Sequence, residues 1–97
     1  MFARMTTIRT QPGKLEQAIG IARDYIAPHA KAQPGFKSLI TLTDAESEEI
    51  VFISLWETEE DLVAGENSGY YEDQIGKLSS VSAGTAVREN FEVNDLT

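Results

Sequence analysis

The run VFISLW, Val51 to Trp56, is apolar at almost every position and leads directly into the polar stretch ETEED. Side chains alternate between the two faces of a strand. Val51, Ile53 and Leu55 therefore fall on one side, and Ile50, Phe52 and Trp56 on the other. A strand that is apolar on both faces cannot lie on the surface of a small protein, so each face must be covered. A chain of 97 residues makes one domain, 1–97, with a thin core. Its own helices can cover one face of a sheet, and self-association is the natural cover for the other.

The rest of the chain supplies those helices. Phe2 to Thr10 reads as a strand, with Arg4, Thr6 and Ile8 on one face and Ala3, Met5 and Thr7 on the other. Gln11-Pro12-Gly13 ends it, and proline suits a helix start because its missing N–H costs nothing there. Leu15, Ala18, Ile19, Ala22, Tyr25 and Ile26 then recur at three- and four-residue steps, which predicts a helix from about Gly13 to Ala32. Pro28 should bend or fray that helix, since the bond to the Asp24 carbonyl is lost. Phe36 to Thr43 is a second strand, Asp44 to Glu49 a short polar loop, and Ile50 to Trp56 the third strand. Thr58 and Asp61 have the spacing of a capping box. The helix they start is broken near Gly65–Gly69 and resumes with Tyr71, Ile75 and Leu78 on one face. Thr85 to Val93 is the fourth strand, with Arg88 and Asn90 on a common face.

The order β-α-β-β-α-β is the split βαβ pattern of the α+β class. It predicts a ferredoxin-like, four-stranded antiparallel sheet with both helices on one face. The second apolar face then marks an interface, and the expected assembly is a homodimer packed through its sheets.

Charge and composition exclude several classes. The net charge is -8, and Lys77 and Arg88 are the only basic residues after Lys37. Such a surface repels phosphate backbones and anionic membranes, so neither nucleic acid nor membrane is an expected partner. There is no cysteine, and a single histidine cannot form a histidine-based metal cluster. No run of about 18 apolar residues is present, and the N-terminal stretch has no signal-peptide core, so the cytoplasm is the expected compartment.

The segments Gln11-Pro12-Gly13-Lys14 and Gln33-Pro34-Gly35-Phe36, with Ser54-Leu55-Trp56-Glu57-Thr58-Glu59-Glu60-Asp61, resemble an antibiotic biosynthesis monooxygenase-type domain of the dimeric α/β-barrel superfamily. The likeness runs from about Phe2 to Val93. It implies a ferredoxin-like protomer whose sheet joins its twin's in a barrel, with a pocket between each sheet and its helices. Some members oxygenate phenols, anthrones or quinols without metal or flavin, the deprotonated substrate passing an electron to dioxygen. The protein then only binds the aromatic, stabilises its anion and excludes water. Haem-degrading relatives need a histidine on the second helical region, and Glu57–Ser80 has none.

Three residues are candidates for catalysis. The resemblance places Trp56 in the pocket wall, where its indole N–H could bond a substrate oxygen; it can equally be a packing anchor. In those oxygenases an asparagine can sit four residues before this tryptophan, a position held here by Phe52. His29 carries the only imidazole, the side chain that titrates nearest neutrality, and could take a substrate proton or simply cap a helix end. Arg88 could hold a phenolate or carboxylate, as could Arg4, or either could pair with an acidic neighbour. Phe52, Tyr25, Tyr71 and Asn90 are the candidate substrate contacts. The expected function is a cofactor-independent monooxygenase acting on a small aromatic or quinol with dioxygen. The alternative is a non-catalytic small-ligand-binding or stress-response protein of the same fold.

Overall fold

A computed structural model describes residues 1–97. Its strands are β1 (Phe2–Arg9), β2 (Phe36–Asp44), β3 (Glu49–Trp56) and β4 (Val87–Glu92). The first crossover holds helices α1 (Leu15–Ile21) and α2 (Ala27–Lys31), joined by a π-helical turn over Ala22–Ile26. The second holds α3 (Glu59–Asn67) and α4 (Tyr70–Gly76). The strands form one antiparallel sheet in the order β2-β3-β1-β4. This is the ferredoxin-like α+β arrangement.

Register decides which side chains share a face. Arg4 lies opposite Ser54 on β3 and Asn90 on β4, while Thr6 lies opposite Phe52 and Arg88. These residues, with Ile8, Ile50 and Trp56, face the helices. The core closes as Ile8, Ile50 and Phe52 pack against Ala18, Ala22, Ile26, Leu78 and Val81. The opposite face carries Met5, Val51, Ile53, Leu55, Ile40, Leu42, Val87 and Phe91. Ile40, Leu42, Val87 and Phe91 are each about half exposed there.

The first crossover differs from its sequence reading in one respect. The buried residues Ala18, Ala22, Ile26 and Ala30 repeat every four positions. At 3.6 residues per turn, each such step overshoots a full turn by about 40°. The wider π turn, in which the Ala27 N–H bonds the Ala22 carbonyl, absorbs the drift and keeps the small residues on the sheet. Pro28 follows inside the same helical run, which continues from Leu15 to Lys31; its ring removes the N–H that would bond the Asp24 carbonyl, but the run does not fray there.

The turns that bracket α3 are set by specific residues. The Thr58 hydroxyl accepts the Asp61 N–H and caps the helix. Gly35 has φ 76°, and a Cβ there would fall 2.1 Å from Asp61 Oδ2, so only glycine lets the β2 turn approach that cap. Gly69, at φ 91°, breaks the second crossover and re-aims α4 across the sheet.

Candidate functional site

Between the helix-facing side of the sheet and the roof formed by α2 and α4 lies a cavity. The strands contribute Arg4, Thr6, Leu39, Phe52 and Ser54; the helices contribute Ile26, Ala30, Tyr70, Tyr71, Gln74 and Ile75, with Leu78 just beyond α4. The space is about 440 Å³ counted out to its open mouth, but only about 40 Å³ is closed room for bodies the size of water. At about 10–15 Å³ per water on that measure, it holds a few waters and must widen for an aromatic ring.

Arg4 is the charged group of the floor and is 4% exposed. Its position follows from three elements. Its Nη2 donates to the Leu62 carbonyl at 2.8 Å, and its Nε donates to Glu66 Oε2 at 3.1 Å. Leu62 and Glu66 are one turn apart on α3, so the guanidinium docks along that helix. Its carbon stands 4.7 Å from the Tyr71 ring centre and 5.5 Å from that of Trp56. Five N–H donors on a guanidinium leave several for a ligand.

Polar groups surround Arg4 in fixed roles. The Thr6 and Tyr71 hydroxyls are hydrogen-bonded at 3.0 Å. Ser54 Oγ accepts the Trp56 indole N–H at 2.9 Å, which leaves its own O–H to donate. Burial pushes the Tyr70 hydroxyl up from its ordinary value, although Arg4 pulls it the other way. It therefore stays a neutral O–H at physiological pH. Gln74 Oε1 is buried and has no partner.

The sequence-predicted residues fall into three positions. Phe52 and Tyr71 line the cavity. Trp56 and Arg88 stand one layer behind it. Trp56 is 1% exposed, packs edge-on against Phe36 and Tyr70, and spends its N–H on Ser54, so Ser54 presents the polar atom to the cavity. Arg88 is more exposed, stands 5.2 Å from the Tyr71 ring centre, and reaches Glu66 Oε1 at 3.8 Å. Asn90, exposed on β4, donates to Glu66 Oε2 at 3.0 Å. Glu66 thus gathers Arg4, Arg88 and Asn90 into one cluster, with Arg4 alone of the three in the cavity wall.

Two placements correct the sequence reading. Tyr25 is 59% exposed and does not line the cavity, because the π turn keeps Ile26 inward and rotates Tyr25 outward. His29 is exposed on α2, where its Nδ1 contacts Lys77 Nζ. It lines an outer polar groove with Asp73 and Lys77, and Tyr70 and Gln74 line both that groove and the cavity. Tyr70, one of the three tyrosines whose hydroxyl could serve a pocket, does line the cavity, whereas Ser54 and Gln74 were not singled out as site residues in the sequence. Gln74 carried a signal: it lies three residues after Tyr71 and four before Leu78, a polar side chain inside an apolar stripe. No group of three or more His, Asp or Glu side chains is placed to hold a metal ion. No helix is long and apolar enough to cross a membrane.

Comparison with known proteins agrees with this architecture. Residues 1–75 match the antibiotic biosynthesis monooxygenase family. The chain belongs to that family. Among solved structures it is similar to the monooxygenase from the gene ActVA-Orf6 of Streptomyces coelicolor, in complex with nanaomycin D. That match has a TM-score of 0.81 at 16% identity and covers 99% of this chain and 89% of the other. It is also similar to a mutant of SnoaB, a cofactor-independent oxygenase from Streptomyces nogalater, with a TM-score of 0.75 at 17% identity, covering 97% and 93%. A protein of unknown function from Nitrosomonas europaea gives a TM-score of 0.76 at 17% identity, covering 99% and 91%. At these identities the likeness is one of fold. The sequence has no match among curated proteins.

Proposed function

We propose that this member of the antibiotic biosynthesis monooxygenase family is a cofactor-independent monooxygenase acting on a small aromatic, anthrone- or quinol-type substrate. One observation carries the reading: a buried arginine, Arg4, in the floor of a cavity that is otherwise mostly apolar. A guanidinium there stabilises the aromatic anion that must form before an electron can pass to dioxygen, and the dry wall strengthens that attraction. For an anthrone the balance closes without a cofactor. The ring CH₂ gives up four electrons and two hydrogens; one oxygen atom becomes the new carbonyl and the other leaves as water.

The cavity lining has no carboxylate and no imidazole. The substrate proton is therefore lost to water, and Arg4 favours the anion. Tyr70 and Gln74 line both the cavity and the outer groove, and the closed part of the cavity must widen for a ring to enter. The same lack of a base favours a second reading, a non-catalytic protein that binds small aromatics. Oxygen uptake with anthrone or hydroquinone separates the two. The oxygenase reading expects a rate proportional to protein, and a rate equal to that of buffer leaves only binding.

The exposed apolar sheet face supports a homodimer as the working unit. Sedimentation at micromolar concentration is expected to give twice the chain mass, with Leu42→Lys shifting it to monomer. A wild-type monomer at that concentration would remove the dimer.

A further inference from the structure

Gln74 is the group in the cavity that the fold itself does not explain. It is 7% exposed, and its Oε1 is the one buried side-chain nitrogen or oxygen without a hydrogen-bond partner. An unpaired buried acceptor is destabilising compared with an apolar side chain of the same shape. Its neighbours on the same helical stripe, Tyr71, Ile75 and Leu78, would accept such a side chain without a change of face. The chain keeps a carbonyl where folding gains nothing from it.

We propose that Gln74 is a specificity-determining residue: its carbonyl accepts a hydrogen bond from a hydroxyl on the ligand, so the cavity selects hydroxylated aromatic rings over rings that carry only acceptors. This rests on the reading of the cavity as a small-aromatic site. The floor and roof are complementary in sign. Arg4 and Ser54 present donors from the sheet, and Gln74 presents an acceptor from α4. A ring with an anionic or carbonyl oxygen toward Arg4 and an O–H toward Gln74 satisfies both. A hydroquinone monoanion fits. A quinone offers no O–H to that carbonyl and is met only if the amide turns to present its N–H₂.

The test is a binding titration with oxygen excluded, so it does not depend on turnover. Hydroquinone and 1,4-dimethoxybenzene are titrated against the wild type and Gln74→Met, following the indole N–H resonance of Trp56, the chain's one tryptophan. The wild type is expected to bind hydroquinone about tenfold or more tightly than the diether, and Gln74→Met to bring that ratio close to one. Gln74→Met should melt at or above the wild-type temperature, since it removes the orphan acceptor. The proposal is overturned if the variant keeps the preference, if the wild type does not bind hydroquinone, or if the variant melts well below the wild type, which would make the amide structural. A Gln74-dependent preference without oxygen uptake in air would support this proposal while removing the oxygenase reading.

Discussion

Arg4→Met is expected to lower the stability of the protein by about 3–5 kcal/mol, the usual cost of removing one partner of a buried ion pair. The reason is what stays behind. Glu66, 12% exposed, loses its 3.1 Å bond to Arg4 and retains Asn90 at 3.0 Å and the more distant Arg88 at 3.8 Å. The Trp56 ring loses the cation beside it, and Tyr71 keeps only Arg88, at 5.2 Å. In a domain of this size each kcal/mol moves the melting temperature by about 4–8 °C, so a fall of more than about 12 °C should be seen. Arg4→Lys should not rescue it, because a single ammonium cannot reproduce the fork that reaches both Leu62 and Glu66. Glu66→Gln should cost less alone and couple strongly to Arg4→Met in a double-mutant cycle. Urea denaturation reads the wild type, the three single variants and the double variant alike. A loss below about 1 kcal/mol for Arg4→Met would mean that the cluster is as weak as a surface pair.

Trp56→Ala is the second large effect, with an expected loss of about 3–5 kcal/mol, typical of a buried tryptophan cut to alanine. Trp56 is 1% exposed and wedged between Phe36, at 5.7 Å between ring centres, and Tyr70, at 6.4 Å. Its removal unseats the end of β3 and the start of α4 together. Lost activity in Trp56→Ala would therefore not identify a catalytic group. Trp56→Phe separates the roles, since it keeps most of the packing and deletes the N–H that Ser54 accepts. Oxygen uptake by the folded Trp56→Phe protein should stay within a few-fold of wild type. A loss of about 100-fold or more with the fold intact would place the indole N–H at the reacting atoms, in the range of a lost oxyanion donor.

The architecture was legible because it depends on alternation and breakers that any strand or helix must show. The apolar run at Val51–Trp56, the glycine break at Gly69 and the Thr58 cap each appear in the structure where local chemistry puts them. Tyr25 was misplaced because apolar spacing cannot reveal a π turn, and one such turn decides between Tyr25 and Ile26. Trp56 was legible as buried but not as screened, since the alternation that sends it inward also sends Ser54 inward two residues earlier. The sequence reading put Arg88 forward as the catalytic arginine and named Arg4 only beside it, yet the structure sets Arg4 in the cavity wall. Strand order separates them, because β1 is central and β4 is an edge. Gln74 was hidden for a different reason. A polar residue in an apolar stripe is legible, but its lack of a partner exists only once every neighbour is in place.

The most direct measurement is the fate of labelled oxygen when anthrone is incubated with the protein under ¹⁸O₂. One label should enter the new carbonyl and one should appear in water, at a rate proportional to protein. That rate should rise with pH as the substrate itself loses its proton, because no carboxylate or imidazole lines the cavity. Oxygen uptake and labelling no greater than in buffer alone would contradict the assignment and leave a protein that binds aromatic rings without oxidising them.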